Sequence, residues 1–312
     1  MAEQSKSKKG EGGDIQEGVV SAVYQGKYNV MVDDREWVCS LRGRRNWKEQ
    51  PVVGDRVTYA LLPDGSGAIE TVLPRRNALM RRVADRGRRA KQGQVLAANV
   101  DQIIIVAALL DPPFRSGLVE RFLVAAALAD LRPLLCITKM DLPGDEFFEE
   151  VTAPYKALGV EIVSTSINHP KLLAQLATRL VGYTSVLVGH SGVGKTSLLN
   201  ALEGRNMAVG ELGEGQVTRG RHTTTTARLI TLKAGGFAID SPGVREFGLH
   251  GLTRVELAAY YPDFQPYLTG CGFRDCLHKG EPNCRIAEAV EKEQITIERY
   301  ESYLILLEEL EE

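Results

Sequence analysis

The stretch "GHSGVGKT", Gly189 to Thr196, has the residue types and spacing that grip a nucleotide phosphate chain. It follows the apolar run "SVLV" and opens the helix-forming run "KTSLLNALE". That strand-to-helix context is what a phosphate loop requires. Gly189, Gly192 and Gly194 let the backbone N–H groups of His190, Ser191, Val193 and Ser197 close around phosphate oxygens, aided by the helix N-terminus. Lys195 places a cation on the β- and γ-phosphates, and the Thr196 hydroxyl is a ligand for Mg²⁺. Further along, "DSPG" ends the apolar run "GGFAI". Asp240 there can hold Mg²⁺ through water, and the Gly243 N–H can sense a γ-phosphate. Upstream, Thr138-Lys139-Met140-Asp141 ends the apolar run "LLCI" and has the form of a guanine-reading tetrapeptide. Its Asp141 would accept from guanine N1 and N2. Thr138 stands where Asn is commoner and offers only a hydroxyl.

The order of these pieces is unusual, because the base-reading tetrapeptide precedes the phosphate loop. Read cyclically, the series runs phosphate loop, Thr-rich segment, DSPG, TKMD, and then "STS" from Ser164 to Ser166. That is the usual GTPase order from a different starting point, so a circular permutation is predicted. Mg²⁺ is expected with GTP, its shell completed by Thr223 or Thr224. Ras-type enzymes position the attacking water with a Gln after the DxxG glycine. Here that residue is Val244, which can neither orient water nor accept from it. The nearest group able to do so is His222, in "GRHTTTT", which is therefore the candidate catalytic residue.

A second chemistry sits near the C-terminus. Cys271, Cys276, His278 and Cys284 supply three thiols and one imidazole within a short span. Such a set makes a closed tetrahedral zinc shell, structural and without an open position. The plainer reading is unlinked core thiols beside a surface His. Cys39 and Cys136 fall in strand-like runs and read as core.

These groups need elements to hold them. The chain has 312 residues, 44% hydrophobic and 25% charged, with a net charge of −2. No apolar run is long enough to span a membrane. Residues 1–14 lack an apolar core segment, so they read as a disordered tail rather than a signal peptide. The five cysteines then suit a reducing cytoplasm. Residues 15–74 read as short strands, with "PDGSG" as a hairpin turn. An OB-type barrel fits, and an SH3-like barrel fits almost as well. Residues 75–98 form a basic linker, with eight Arg/Lys against one Asp between residues 75 and 91. Residues 99–250 alternate buried strands with helices, which predicts an α/β domain with a parallel sheet. Residues 251–312 hold the cysteine cluster and then a helix with Ile297, Tyr300, Leu304, Leu307 and Leu310 on one face. A barrel beside an Arg-rich segment suits RNA backbones, with Tyr28, Trp37 and Trp47 available for base stacking. A solvated charged linker is the plainer reading.

The whole arrangement resembles the small ribosomal subunit biogenesis GTPases, the RsgA or YjeQ family. The stretches that carry the resemblance are "RRNALMRR", "TKMD", "GHSGVGKTSLLNAL", "GRHTTTT", "DSPGVREF" and "CGFRDCLHKGEPNCRIAEAVE". Thr138 and His190 depart from that pattern, which has Asn and Gln there. The resemblance implies a GTP hydrolase that binds GTP and GDP, and a monomer is expected. It also implies stimulation by the small (30S) ribosomal subunit, contact with its rRNA during late maturation, and one structural zinc per chain. It supports His222 as the catalytic group. Two rival readings are a non-catalytic, nucleotide-dependent RNA-binding switch and an enzyme acting on another phosphorylated metabolite; TKMD and DSPG together argue against the latter.

Overall fold

The structure is a computed structural model that describes residues 15–33, 35–43, 47, 50–81, 94–204, 227–240 and 249–310. The first five strands are β1 (Ile15–Tyr24), β2 (Lys27–Val32), β3 (Arg35–Leu41), β4 (Arg56–Leu61) and β5 (Gly67–Val72). They pair in the order β1-β2-β3-β5-β4, and β4 returns to β1. Only β3 and β5 run parallel. Closure in this order is the OB arrangement and decides between the two barrels. The register of β1 shifts between Val20 and Ala22, a bulge that bends a ten-residue strand around the barrel. The predicted turn after β4 joins β4 to β5.

The barrel interior corrects one expectation. Tyr28 is buried with Val20, Val30, Cys39, Val57, Tyr59 and Ile69 and is unavailable for base stacking. Trp37 and Trp47 are half-buried and pack against the same core.

The predicted linker is structured where it is described. Strands β6 (Ala78–Arg81) and β7 (Gln94–Ala98) pair as an antiparallel hairpin. The Arg75 guanidinium grips the buried Asp55 carboxylate with two bonds of 2.7 and 2.8 Å, fastening the segment to the barrel. Gly54 adopts a φ of +88°, and a Cβ there would meet the Ala98 carbonyl at 2.1 Å, so only glycine admits this close docking. Residues 82–93, which hold most of the Arg-rich run, lie outside the described residues.

The α/β domain comprises β8 (Gln102–Ala108), α1 (Ser116–Leu128), β9 (Arg132–Thr138), α2 (Phe148–Ala157), β10 (Glu161–Ser164), α3 (Pro170–Leu180), β11 (Thr184–Val188), α4 (Lys195–Glu203), β12 (Arg228–Thr231) and β13 (Phe237–Asp240). The strand order is β10-β9-β8-β11-β13-β12, parallel except for β12. All seven residues of β8 are buried, as a strand covered on both faces must be. Ile103 and Ile105 face the core shared with α1, and Ile104 and Val106 face the core under α3 and α4. Cys39 and Cys136 are both buried, as the strand patterns predict. A pairing of Ala22 with Arg228 continues this sheet into the barrel.

The C-terminal region holds α5 (Arg254–Leu257), α6 (Arg285–Glu291) and α7 (Ile297–Glu309). The single helix expected from the periodicity is broken. Glu293 adopts a left-handed φ of 57°, and Thr296 then caps a new helix by accepting from the Arg299 N–H. The predicted face is rotated as well. Tyr303, Leu306 and Leu307 are its buried centre, whereas Ile297 is 51% exposed. That face packs on α1, and one continuous apolar core joins the two regions.

Candidate nucleotide site and metal centre

The carboxyl ends of β8, β9, β10, β11 and β13 converge on one edge of the sheet, where open α/β folds bind ligands. β11 delivers the chain to Gly189, whose φ is +140°; a Cβ there would strike the Val106 carbonyl at 2.1 Å. Gly192 and Gly194 are left-handed, and α4 starts at Lys195. The Lys195 ammonium donates to the carbonyls of Gly189 (2.8 Å) and His190 (2.6 Å), which holds it inside the loop. The Val193 side chain is buried, and Ser191 and Thr196 are exposed. The His190 Nδ1 lies 2.6 Å from the Ser191 carbonyl and so is turned back on its own loop.

The tetrapeptide after β9 meets this loop directly. The buried Thr138 Oγ1 lies 2.7 Å from the Val193 carbonyl and 3.0 Å from that of Ala107. Its single hydroxyl hydrogen is committed to these carbonyls, so Thr138 ties the tetrapeptide to the phosphate loop and offers the base no free donor. Lys139 is left-handed, with its ammonium 3.4 Å from Asp111. The Met140 N–H donates to the Thr165 carbonyl at 3.3 Å, locking the tetrapeptide to the segment after β10.

The Asp141 carboxylate accepts from the Ser166 hydroxyl at 2.5 Å and from the Asn168 amide at 2.8 Å. These two bonds, Ser166 first, hold its carboxyl below the usual carboxylate range. A cavity of about 210 Å³ lies between this carboxylate and the start of α4, lined among others by Lys139, Asp141, Ser166, Gly194 and Ser197. Ser164 is not among its lining residues; it pairs with Ile137 inside the sheet. Of "STS", Thr165 and Ser166 line the cavity, and Ser166 is the one bonded to Asp141. Asn168 was not anticipated at all; the only signal was a short polar side chain just beyond that triplet.

Asp240 ends β13, next to β11 in the sheet, and is exposed at the same edge. Gly243, His222, Thr223 and Thr224 lie outside the described residues.

The four C-terminal ligand candidates come together. The donor atoms of Cys271, Cys276, His278 and Cys284 all lie within 4.8 Å of one another. The His278 Nδ1 is 3.7 Å from the Cys271 sulfur and 3.4 Å from that of Cys284, so Nδ1 is the nitrogen turned inward. A tetrahedral ion with bonds of about 2.0–2.3 Å needs donor separations close to these. The N–H groups of Arg285 and Ala287 point at the Cys271 and Cys284 sulfurs at 3.4 and 3.5 Å, as donors to thiolates do. The Glu281 carboxylate accepts from the N–H groups of Leu277 and Lys279 and holds the loop around His278. Burial lowers the His278 pKa, in the direction that favours the neutral ring a metal ligand needs. The donor set therefore fits a metal ion.

A family model for the RsgA GTPase matches residues 72–250. The chain belongs to the RsgA GTPase family. Among curated relatives, the small ribosomal subunit biogenesis GTPase RsgA of Chlorobaculum parvum is 41% identical over 267 residues, covering 83% of this chain and 85% of its own. The protein of that name from Bordetella pertussis is 40% identical, covering 94% of this chain and 96% of its own. Among solved structures, YjeQ from Thermotoga maritima aligns with a TM-score of 0.74 at 33% identity, over 95% of this chain and 98% of that one. YloQ, described as a circularly permuted GTPase, aligns with a TM-score of 0.73 at 28% identity, over 98% of each chain. The permuted order read from the motifs is thus the order of the family. This chain is a GTPase, with an OB-type barrel ahead of its catalytic domain and a cysteine-rich helical region after it.

Proposed function

We propose that this GTPase binds the small ribosomal subunit, assists its late maturation in the cytoplasm as a monomer, and hydrolyses GTP faster when bound to it. The observation that carries the GTP half is the buried bond between Thr138 and the Val193 carbonyl. It ties the tetrapeptide that ends in Asp141 to the phosphate loop, and residues of both line one cavity. The ribosomal half rests on the names of relatives that are about 40% identical over most of the chain.

In this reading Asp141 accepts from guanine N1–H and N2–H, and the Lys139 stem covers the base. The Gly189–Ser197 backbone and the Lys195 ammonium hold the phosphates. Lys195 exchanges its carbonyl partners for phosphate oxygens. Thr196 and Asp240 would hold Mg²⁺, which when bound neutralises charge developing on the leaving phosphate. Gly243 and His222 complete the site, with His222 orienting the attacking water. Zn²⁺, one per chain, would occupy the Cys271, Cys276, His278 and Cys284 set and serve folding. The barrel and the Arg-rich segment would contact rRNA phosphates.

Phosphate release from GTP, followed with and without small subunits, tests the proposal. Stimulation by the subunit is expected. Binding of the subunit without any turnover would instead make the protein a nucleotide-dependent RNA-binding switch. Equal competition by ATP would remove the guanine assignment.

A further inference from the structure

Asn168 lies outside the family motifs, yet its side chain touches the carboxylate that would read the base. Its Nδ2 donates to Asp141 Oδ2 at 2.8 Å, and the Ser166 hydroxyl donates to Oδ1 at 2.5 Å. The Asn168 N–H in turn donates to the Ser166 Oγ at 3.0 Å, closing a ring of hydrogen bonds. The next residue, His169, is the N-cap position of α3.

We infer that Asn168 is a positioning residue that sets the plane of the Asp141 carboxylate for guanine. The inference rests on the reading of Asp141 given above. A terminal carboxylate torsion is broad and nearly two-fold, so an Asp left alone samples many planes. An ionised carboxylate has about four lone-pair sites, two on each oxygen. Ser166 takes one on Oδ1 and Asn168 takes one on Oδ2. The outward-facing lone pairs are left for the two parallel donors of guanine, N1–H and N2–H. Inosine offers only N1–H at that edge. Adenine offers an acceptor where guanine has N1–H and meets the carboxylate repulsively. Fixing both oxygens is therefore worth most for the nucleotide that uses both.

The test compares GTP, inosine triphosphate and ATP on the full-length protein, using Asn168→Ala and Asn168→Asp. In Asn168→Ala the GTP affinity should fall by roughly tenfold, the size of one hydrogen bond to a charged group. Inosine triphosphate should weaken much less, so the preference for GTP over it shrinks. The loss should appear mainly in the affinity for GTP and in KM rather than in kcat, a split that a merely structural role would not give. Asn168→Asp keeps the size but sets a like charge against Asp141, and should erode the preference further. Thermal melts establish that both variants are folded. Equal weakening of GTP and inosine triphosphate, or no weakening of either, overturns the inference while leaving the guanine assignment standing. A wild-type protein with no preference for GTP over ATP overturns both, and so separates the two failures.

Discussion

The Thr138 hydroxyl sits 2.7 Å from the Val193 carbonyl, a buried contact between residues 55 positions apart in the chain. It joins the tetrapeptide after β9 to the phosphate loop. Thr138→Val keeps the shape and removes the donor, leaving buried carbonyl oxygens short of a partner. That costs about 1–3 kcal/mol. Affinity for GTP and for inosine triphosphate should fall together, by about tenfold, because the whole loop loses its tie. Equilibrium titration with a fluorescent nucleotide checks this, and an unchanged affinity would show that the contact is idle.

A second long-range contact lies where the C-terminal region meets the α/β domain. Arg299 on α7 makes a bidentate pair with Asp263 at 3.0–3.2 Å, contacts Glu120 on α1, and stacks 4.5 Å from the Tyr261 ring centre. Burial pushes its pKa down to about 10, still well above neutrality, so it stays charged. Arg299→Ala would leave the Glu120 and Asp263 carboxylates without their shared cation. Breaking a buried pair in this way costs about 3–5 kcal/mol. Urea unfolding should show a loss of that size; a loss under about 1 kcal/mol would mean that water replaces the guanidinium.

Contacts of this kind explain what was legible in the sequence. The α/β order was readable because each buried strand is a continuous apolar run, as in "QIIIVAA". The glycine-rich loop and the Cys/His cluster were readable because short-range spacing defines them. Thr138 could be located but its partner could not, since Ala107 and Val193 reach it only once three strands align. The triad of Glu120, Asp263 and Arg299 has no local spacing at all. The break before α7 was hidden because Glu293 takes a left-handed φ where a Gly would have signalled it. Tyr28 looked like a stacking residue because a barrel strand shows only alternation, and alternation alone does not say which face turns inward.

The metal centre predicts a graded response to chelation. Metal analysis of protein purified without chelator should find one zinc per chain. Removing it, or substituting Cys276→Ala, should unfold the loops around His278, because binding energy is folding energy at such sites. Tyr303 and Leu306 belong to the same core as α1, so the melting midpoint of the whole protein should drop and a hydrophobic dye should bind. The nucleotide cavity is built from the ends of β9 and β10 and from the phosphate loop. Its GTP affinity should therefore stay within about threefold of the intact protein. Absence of zinc, or loss of GTP binding in step with chelation, would contradict this account.

The last prediction concerns the water that attacks the γ-phosphate. Val244 follows Gly243, so the position that carries Gln in Ras-type enzymes has no polar group. His222 stands in the segment between the phosphate loop and DSPG, and an imidazole with an ordinary pKa near 6.5 suits both orienting water and moving its proton at neutral pH. If contact with the small subunit is what brings this segment over the phosphates, turnover on the free protein stays low and rises on binding. His222→Ala should then bind GTP and the subunit as the parent does. Its stimulated turnover should fall by roughly 10²–10⁴-fold, the usual size of a general-base or water-positioning effect. His222→Gln can orient water but cannot take its proton, so partial rescue would assign the role to orientation. Near-normal hydrolysis by His222→Ala on the subunit would move the catalytic group to another residue or to the rRNA itself.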